Sequence, residues 1–125
     1  MPLEIRRTAE MEGSILVSIR QKLGPSGAYD VFDPQLIDFI NMAFGRLHQL
    51  GIGPKERFYI QGPEAMWSDF VPDGDMEELR TYVYLKVRQL FDPPTNSAVL
   101  NAYDAQIKEL EWELNALFDN TVSEG

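Results

Sequence analysis

The sequence contains no cysteine, which excludes disulfides, thiolate metal sites and cysteine nucleophiles. Histidine occurs once, at His48, so no histidine cluster can form within one chain. Positive charge is scarce. Eleven Lys and Arg stand against twenty Asp and Glu, leaving a formal net charge of −9. A protein that holds nucleic acid by neutralising phosphates needs the opposite balance. The densest basic groups, Arg6-Arg7 and Arg20/Lys22, are isolated, and acids flank the first pair. Long apolar runs are also missing, with nothing near the roughly 20 residues that span a bilayer. The stretch from Met1 to Glu12 alternates charge and lacks the apolar segment of a signal peptide. These absences predict a soluble chain made in the cytosol, with no membrane partner and no stable grip on DNA.

What is present suits a single folded domain. The chain has 125 residues, 44% of them hydrophobic, with seven Phe, five Tyr and two Trp to fill one core. Its punctuation predicts an all-α bundle of about four helices. Ser14 caps a helix that ends at Gly24-Pro25, with Ile15, Leu16, Ile19 and Leu23 on its apolar face. A loop follows to Phe32. Asp33-Pro34 then starts a second helix, with the Asp side chain as cap and Pro at a position that sacrifices no hydrogen bond. This helix runs to Leu50, where Gly51 can turn left-handed, and its stripe is Leu36, Ile37, Ile40, Ala43, Phe44 and Leu47.

From Gly51 to Asp75 the Gly and Pro content breaks any helical period. Within this irregular loop Arg57-Phe58-Tyr59-Ile60 suits a short strand of a β-hairpin, and Glu64 to Phe70 suits a helical turn that lowers Trp67 onto the core. A third helix starts near Asp75, with Glu77 and Glu78 at its positive end. Its stripe is Leu79, Tyr82, Val83, Lys86, Val87, Leu90 and Phe91. Asp92-Pro93-Pro94 stops it and forms a corner that lets helices three and four lie side by side. The fourth helix spans Asn96 to Phe118, with Val99, Tyr103, Gln106, Ile107, Leu110, Leu114, Leu117 and Phe118 as its core stripe. The resulting division is an N-terminal arm over 1–13, a helical domain over 14–118 and a flexible tail over 119–125.

No catalytic set emerges from the titratable residues. His48 has no nucleophile motif beside it and suits the surface or edge of its helix. Asp73, Asp75, Glu77 and Glu78 lack the spacing of a calcium loop and are explained by a helix start. Glu109, Glu111 and Glu113 alternate along helix four and read as a solvated face. Gly51-Ile52-Gly53-Pro54 has neither the lysine nor the length of a phosphate loop. No metal and no cofactor is expected.

Helix four carries a second pattern. At 100° per residue Trp112 falls about 160° from Leu110, on the side shared by Ala98, Asn101, Ala105 and Ala116. Small residues admit another backbone, and Trp is enriched where interfaces hold most tightly. Helix two shows a weaker version in Phe39 and Met42. Either these helices are covered on both sides within the domain, or the second face meets another subunit. A bundle this small has few helices with which to cover two faces of one another.

Several blocks follow in order: S-I-L-V-S-I-R-Q-K-L-G; F-D-P-Q-L-I-D-F-I-N-M-A-F-G-R-L-H-Q-L-G-I-G-P; W-S-D-F; Y-V-Y-L-K-V-R-Q-L-F-D-P-P-T-N-S; and I-K-E-L-E-W-E-L-N. In these blocks the stretch from Phe32 to Leu114 resembles the head–tail connector (adaptor) proteins of tailed bacteriophages and prophages. The first dozen residues match nothing in that pattern, and the tail after Phe118 is short. The resemblance implies a structural virion protein without enzyme activity, made in the bacterial cytoplasm and built into the head–tail neck. Its partners would be copies of itself in a dodecameric ring, the portal protein, and a tail-side stopper or tail-completion protein. Genomic DNA would pass through the ring without specific binding. An acidic lumen would suit that passage, since it repels phosphates. Two other classes fit the composition less well. One is an acidic DNA mimic, whose phosphate-like track Arg20, Arg46, Arg80, Arg88 and Lys108 would interrupt. The other is a small metal-dependent enzyme using His48 with carboxylates.

Overall fold

A computed structural model of the chain describes residues 13–24, 30–71 and 76–124, and past Phe118 only the course of the backbone. The arm expected over 1–13 therefore lies outside the described residues except for Gly13, as do Asp73, Asp75 and the 25–29 part of the first loop. Ser14 caps α1 (Ile15–Leu23) as its sequence position predicts, with its hydroxyl oxygen accepting from Val17 N–H at 3.3 Å. A 3-10 turn, Asp30–Phe32, leads into α2 (Asp33–Gln49). Asp33 does not cap α2. The 3-10 turn already supplies the entry, and no side chain caps this end. The Asp33 carboxylate is drawn instead into a two-pronged pair with Arg20 of α1, whose Nη2 donates to Oδ2 at 2.7 Å and Nε to Oδ1 at 3.2 Å, the fork geometry that suits guanidinium and carboxylate.

The end of α2 follows its sequence signal closely. Gly51 adopts φ 78°, its N–H bonds to His48 O, and the Ile52 N–H reaches back to Leu47 O at 2.9 Å. Together these satisfy carbonyls that the helix end leaves open, and buried Ile52 and Leu47 add the apolar contact that accompanies such a cap. Two residues on, Gly53 (φ 101°) lies so close to the Phe70 ring that any Cβ would collide with it.

No strand forms at Arg57–Ile60, and among the described residues there is no sheet, only one isolated bridge between Ser14 and Met66. The backbone of Ile60 finds its partners on a side chain. Asn41 Nδ2 donates to Ile60 O at 3.0 Å, and Ile60 N–H donates to Asn41 Oδ1 at 2.8 Å. One amide from α2 thus replaces a neighbouring strand. The expected helical turn is α3 (Trp67–Phe70), where the Asp69 carboxylate accepts from Met66 N–H. Trp67 is 2% exposed and its Nε1 donates to Ser18 Oγ at 2.9 Å. Around Phe44 the rings of Phe58, Phe70 and Trp67 close an aromatic cluster, with centroids 4.9 to 6.3 Å from Phe44.

α4 (Glu77–Leu90) is the hub, packing against α1, α2 and α5. Leu79, Tyr82, Val83 and Val87 are buried as expected, and so is Leu85, while Leu90 is exposed. The corner works through Asp92, the one non-glycine residue with positive φ among those described (52°). Pro93 disfavours ordinary helical geometry in the residue before it, and Asp tolerates the left-handed region better than most residues. Arg88 Nε holds the Asp92 carbonyl at 2.7 Å, and Phe91 packs edge-on against Phe32 at 5.4 Å. Asn96 then caps α5 (Ser97–Glu124), accepting from Ala98 and Val99 N–H. The backbone stays helical to Glu124 rather than ending at Phe118, since no Gly or Pro interrupts it before Gly125. Of the predicted α5 stripe, Ile107, Leu110 and Leu114 are buried. Val99 and Leu117 are exposed, because they lie at opposite ends of a helix longer than the partner it packs on.

Candidate assembly surface

Two polar ties set α5 against α2. Arg46 Nε meets Glu111 Oε2 at 3.4 Å, and Asn115 Nδ2 donates to Leu50 O at 2.7 Å. Both ties join residues 65 apart in sequence, so the two helices run parallel and in step at this level. Glu111 also accepts from the Tyr82 hydroxyl at 2.8 Å, which joins α2, α4 and α5 at one carboxylate. Burial, then the hydrogen bond to Glu111 and its negative charge, pushes the Tyr82 hydroxyl far above its ordinary range. Arg46 pulls weakly the other way. Glu111 is therefore a structural residue of the helix junction, not part of a solvated face. Its place in sequence carried that signal: it stands four residues after Ile107 and three before Leu114, within the buried stripe.

Fixed by these ties, α5 turns Trp112 outward. Trp112 is 74% exposed, so no helix among the described residues covers it. Ala98, Asn101, Ala105 and Ala116 are exposed with it. On α2, Met42 is 54% exposed and lies one turn before Arg46, on the flank that meets α5. Phe39 behaves differently, since it is partly buried and packs against the core. Trp67, on α3, is core, and at the corner Phe91 is partly buried. Asp92 and Pro93 are exposed, and Pro94 is half-buried.

Sequence reasoning missed other exposed apolar side chains. Tyr59, 58% exposed, lies under the Arg57 guanidinium at 4.9 Å, and its alternation with Phe58 and Ile60 was the available signal. Val31 is 75% exposed, with no signal in its surroundings. His48 is exposed on α2. Among the described residues no three His, Asp or Glu side chains gather as a metal would need, and no helix is long and apolar enough to cross a membrane.

The geometry is that of a helical bundle, with its polar ties used to fix helices and a large aromatic left in solvent. The phage connector protein family matches residues 15–121, nearly the whole described chain, and this protein belongs to that family. Membership carries a structural connector role in the phage particle. No curated protein and no solved structure gives a significant match.

Proposed function

We propose that the protein is a head–tail connector subunit that forms a ring between the portal and the tail-side proteins and lines the passage for DNA. The observation that carries the reading is Trp112, held outward by the flanking Glu111 and Asn115 ties on a helix side that also carries Ala98, Ala105 and Ala116. A bulky exposed aromatic on a fixed helix whose same side carries small residues suits a contact site for another chain. Subunits related by rotation meet through two different faces, so the Trp112 side of one copy serves as one half of each contact. The net charge of −9 supports the passage of DNA, since acidic groups toward a channel repel phosphates instead of binding them. No step of covalent chemistry belongs to this role.

Native mass spectrometry of the protein alone and mixed with its cognate portal tests the reading. The expected result is a monomer or ring alone and a ring-sized complex with the portal. In particles, Trp112→Ala should block incorporation, because losing a central aromatic anchor costs roughly 2 kcal/mol or more per contact. A closed two-fold dimer with Trp112 at its centre would contradict the proposal.

A further inference from the structure

A ring contact needs a second face, and the structure carries one that differs in charge from the first. The outer side of α5 is acidic. Glu109 and Glu113 lie together on one side of Trp112, and Lys108, the one basic residue between Ser97 and Phe118, lies on the other. In contrast, α1 contains no acid and ends in Arg20, paired with Asp33 of α2, and Lys22. Lys22 is exposed and stands over the Tyr84 ring at 5.5 Å. Arg88 extends the same positive region by reaching the Tyr84 hydroxyl and the Asp92 carbonyl. Phe91, beside Asp92, packs on Phe32, and the neighbouring Val31 is the most exposed large apolar residue of those described. A continuous chain of contacts thus leads from Lys22 to Val31: a basic rim beside an aliphatic step.

The two faces lie on opposite flanks of the hub helix. Tyr82 and Gln89 of α4 bond to Glu111 and Asp104 of α5, and they sit about 20° apart around the helix. Tyr84, which carries Lys22 of α1, is roughly 160° from Tyr82. Two faces on opposite flanks are what a head-to-tail contact requires. A chain of net charge −9 repels its own copies unless the contact brings opposite signs together.

We propose that the basic α1–Tyr84 rim of one copy receives the acidic outer face of α5 of the next, with Glu109 and Glu113 toward Lys22 and Arg88 and Trp112 against Val31. This assignment rests on the ring reading above and adds the mating face. The test is charge reversal in the full chain, read by sedimentation velocity over a concentration series both alone and with the cognate portal, with circular dichroism melting to confirm folding. Lys22→Glu alone, and Glu109→Lys with Glu113→Lys, should each weaken self-association by roughly tenfold or more, as like charges then face each other. All three changes together should recover most of the loss. Carbodiimide, which joins an amine to a carboxylate in direct contact, should link Lys22 to Glu109 or Glu113 in the assembled wild type. Assembly that survives both reversals, without that cross-link, overturns this mating and leaves the ring standing. A wild-type chain that stays monomeric at every concentration, and does not form rings with its portal, overturns both readings.

Discussion

The two tryptophans occupy comparable helical settings and opposite environments. Trp67 opens the short α3, is 2% exposed, donates its indole N–H to Ser18 and carries the Arg80 guanidinium on its ring at 5.7 Å. Trp112 lies in the middle of the longest helix and is 74% exposed. The difference is set by what surrounds each residue, not by the residue. Around Trp67 the Phe44, Phe58 and Phe70 rings and α1 leave no route for water. Around Trp112, Glu111 and Asn115 are engaged in holding α5 to α2 and α4, and the indole is turned away from the other described helices. One tryptophan is buried by folding, and the other is left in solvent.

The comparison breaks most visibly at Trp67. Trp67→Ala should cost roughly 3–5 kcal/mol by leaving a cavity that the aromatic cluster cannot fill, seen as a large fall in the urea midpoint. If Trp67→Ala and Trp112→Ala melt alike, the contrast drawn above is wrong. Leu110→Ala, on the buried side of the same helix as Trp112, should cost roughly 2–5 kcal/mol and provides the control within α5.

A smaller loss is expected at the corner. Pro93→Ala with Pro94→Ala should lower stability by roughly 1–2 kcal/mol, through a freer unfolded chain and a weaker helix stop. An unchanged midpoint would mean that Arg88, Phe91 and Phe32 fix the turn by packing alone.

Smaller again is Tyr82→Phe, which removes one bond to Glu111 while Arg46 remains, at roughly 1 kcal/mol near neutral pH. Its pH dependence is more informative. The folded chain holds the Tyr82 hydroxyl protonated well above its ordinary value of 10.0, whereas the unfolded chain ionises near that value. The unfolded state therefore sheds its proton first. The stabilisation is complete below about pH 10 and is lost as the pH rises beyond it. Denaturant midpoints measured from neutral to alkaline pH should fall less steeply for Tyr82→Phe than for wild type, and parallel curves would remove Tyr82 from the junction.

The smallest effect on folding belongs to Trp112. Trp112→Ala should shift the melting midpoint by no more than an exposed substitution does, within about 0.5 kcal/mol, even as it blocks assembly. A drop as large as that of Leu110→Ala would return Trp112 to the core and leave the connector reading to family membership.

Local signals decided much of this molecule. The Ser14 cap, the left-handed Gly51, the proline corner after α4 and the Asn96 start of α5 each act within a few residues of chain, and periodicity marked Leu36, Ile40, Phe44, Ile107, Leu110 and Leu114 for burial. The family, too, was legible in ordered sequence blocks. Other features depended on partners distant in sequence. Asp33 has the right chemistry to cap α2, but Arg20 competes for it. Arg57–Ile60 has the alternation of a strand, but the Ile60 backbone is partnered by the amide of Asn41 and not by a second strand. Glu111 looks like its neighbours Glu109 and Glu113 until Tyr82 and Arg46 reach it across two helix junctions. Periodicity reports which side of a helix is apolar and is silent about how far a neighbouring helix extends, so Leu90, Val99 and Leu117 were marked for burial and remain exposed. Spacing along a chain fixes caps and faces because those interactions close within a turn or two. Which face is covered, and which carboxylate is shared, depends on where separate helices come to rest against one another, and that was settled by packing around α4.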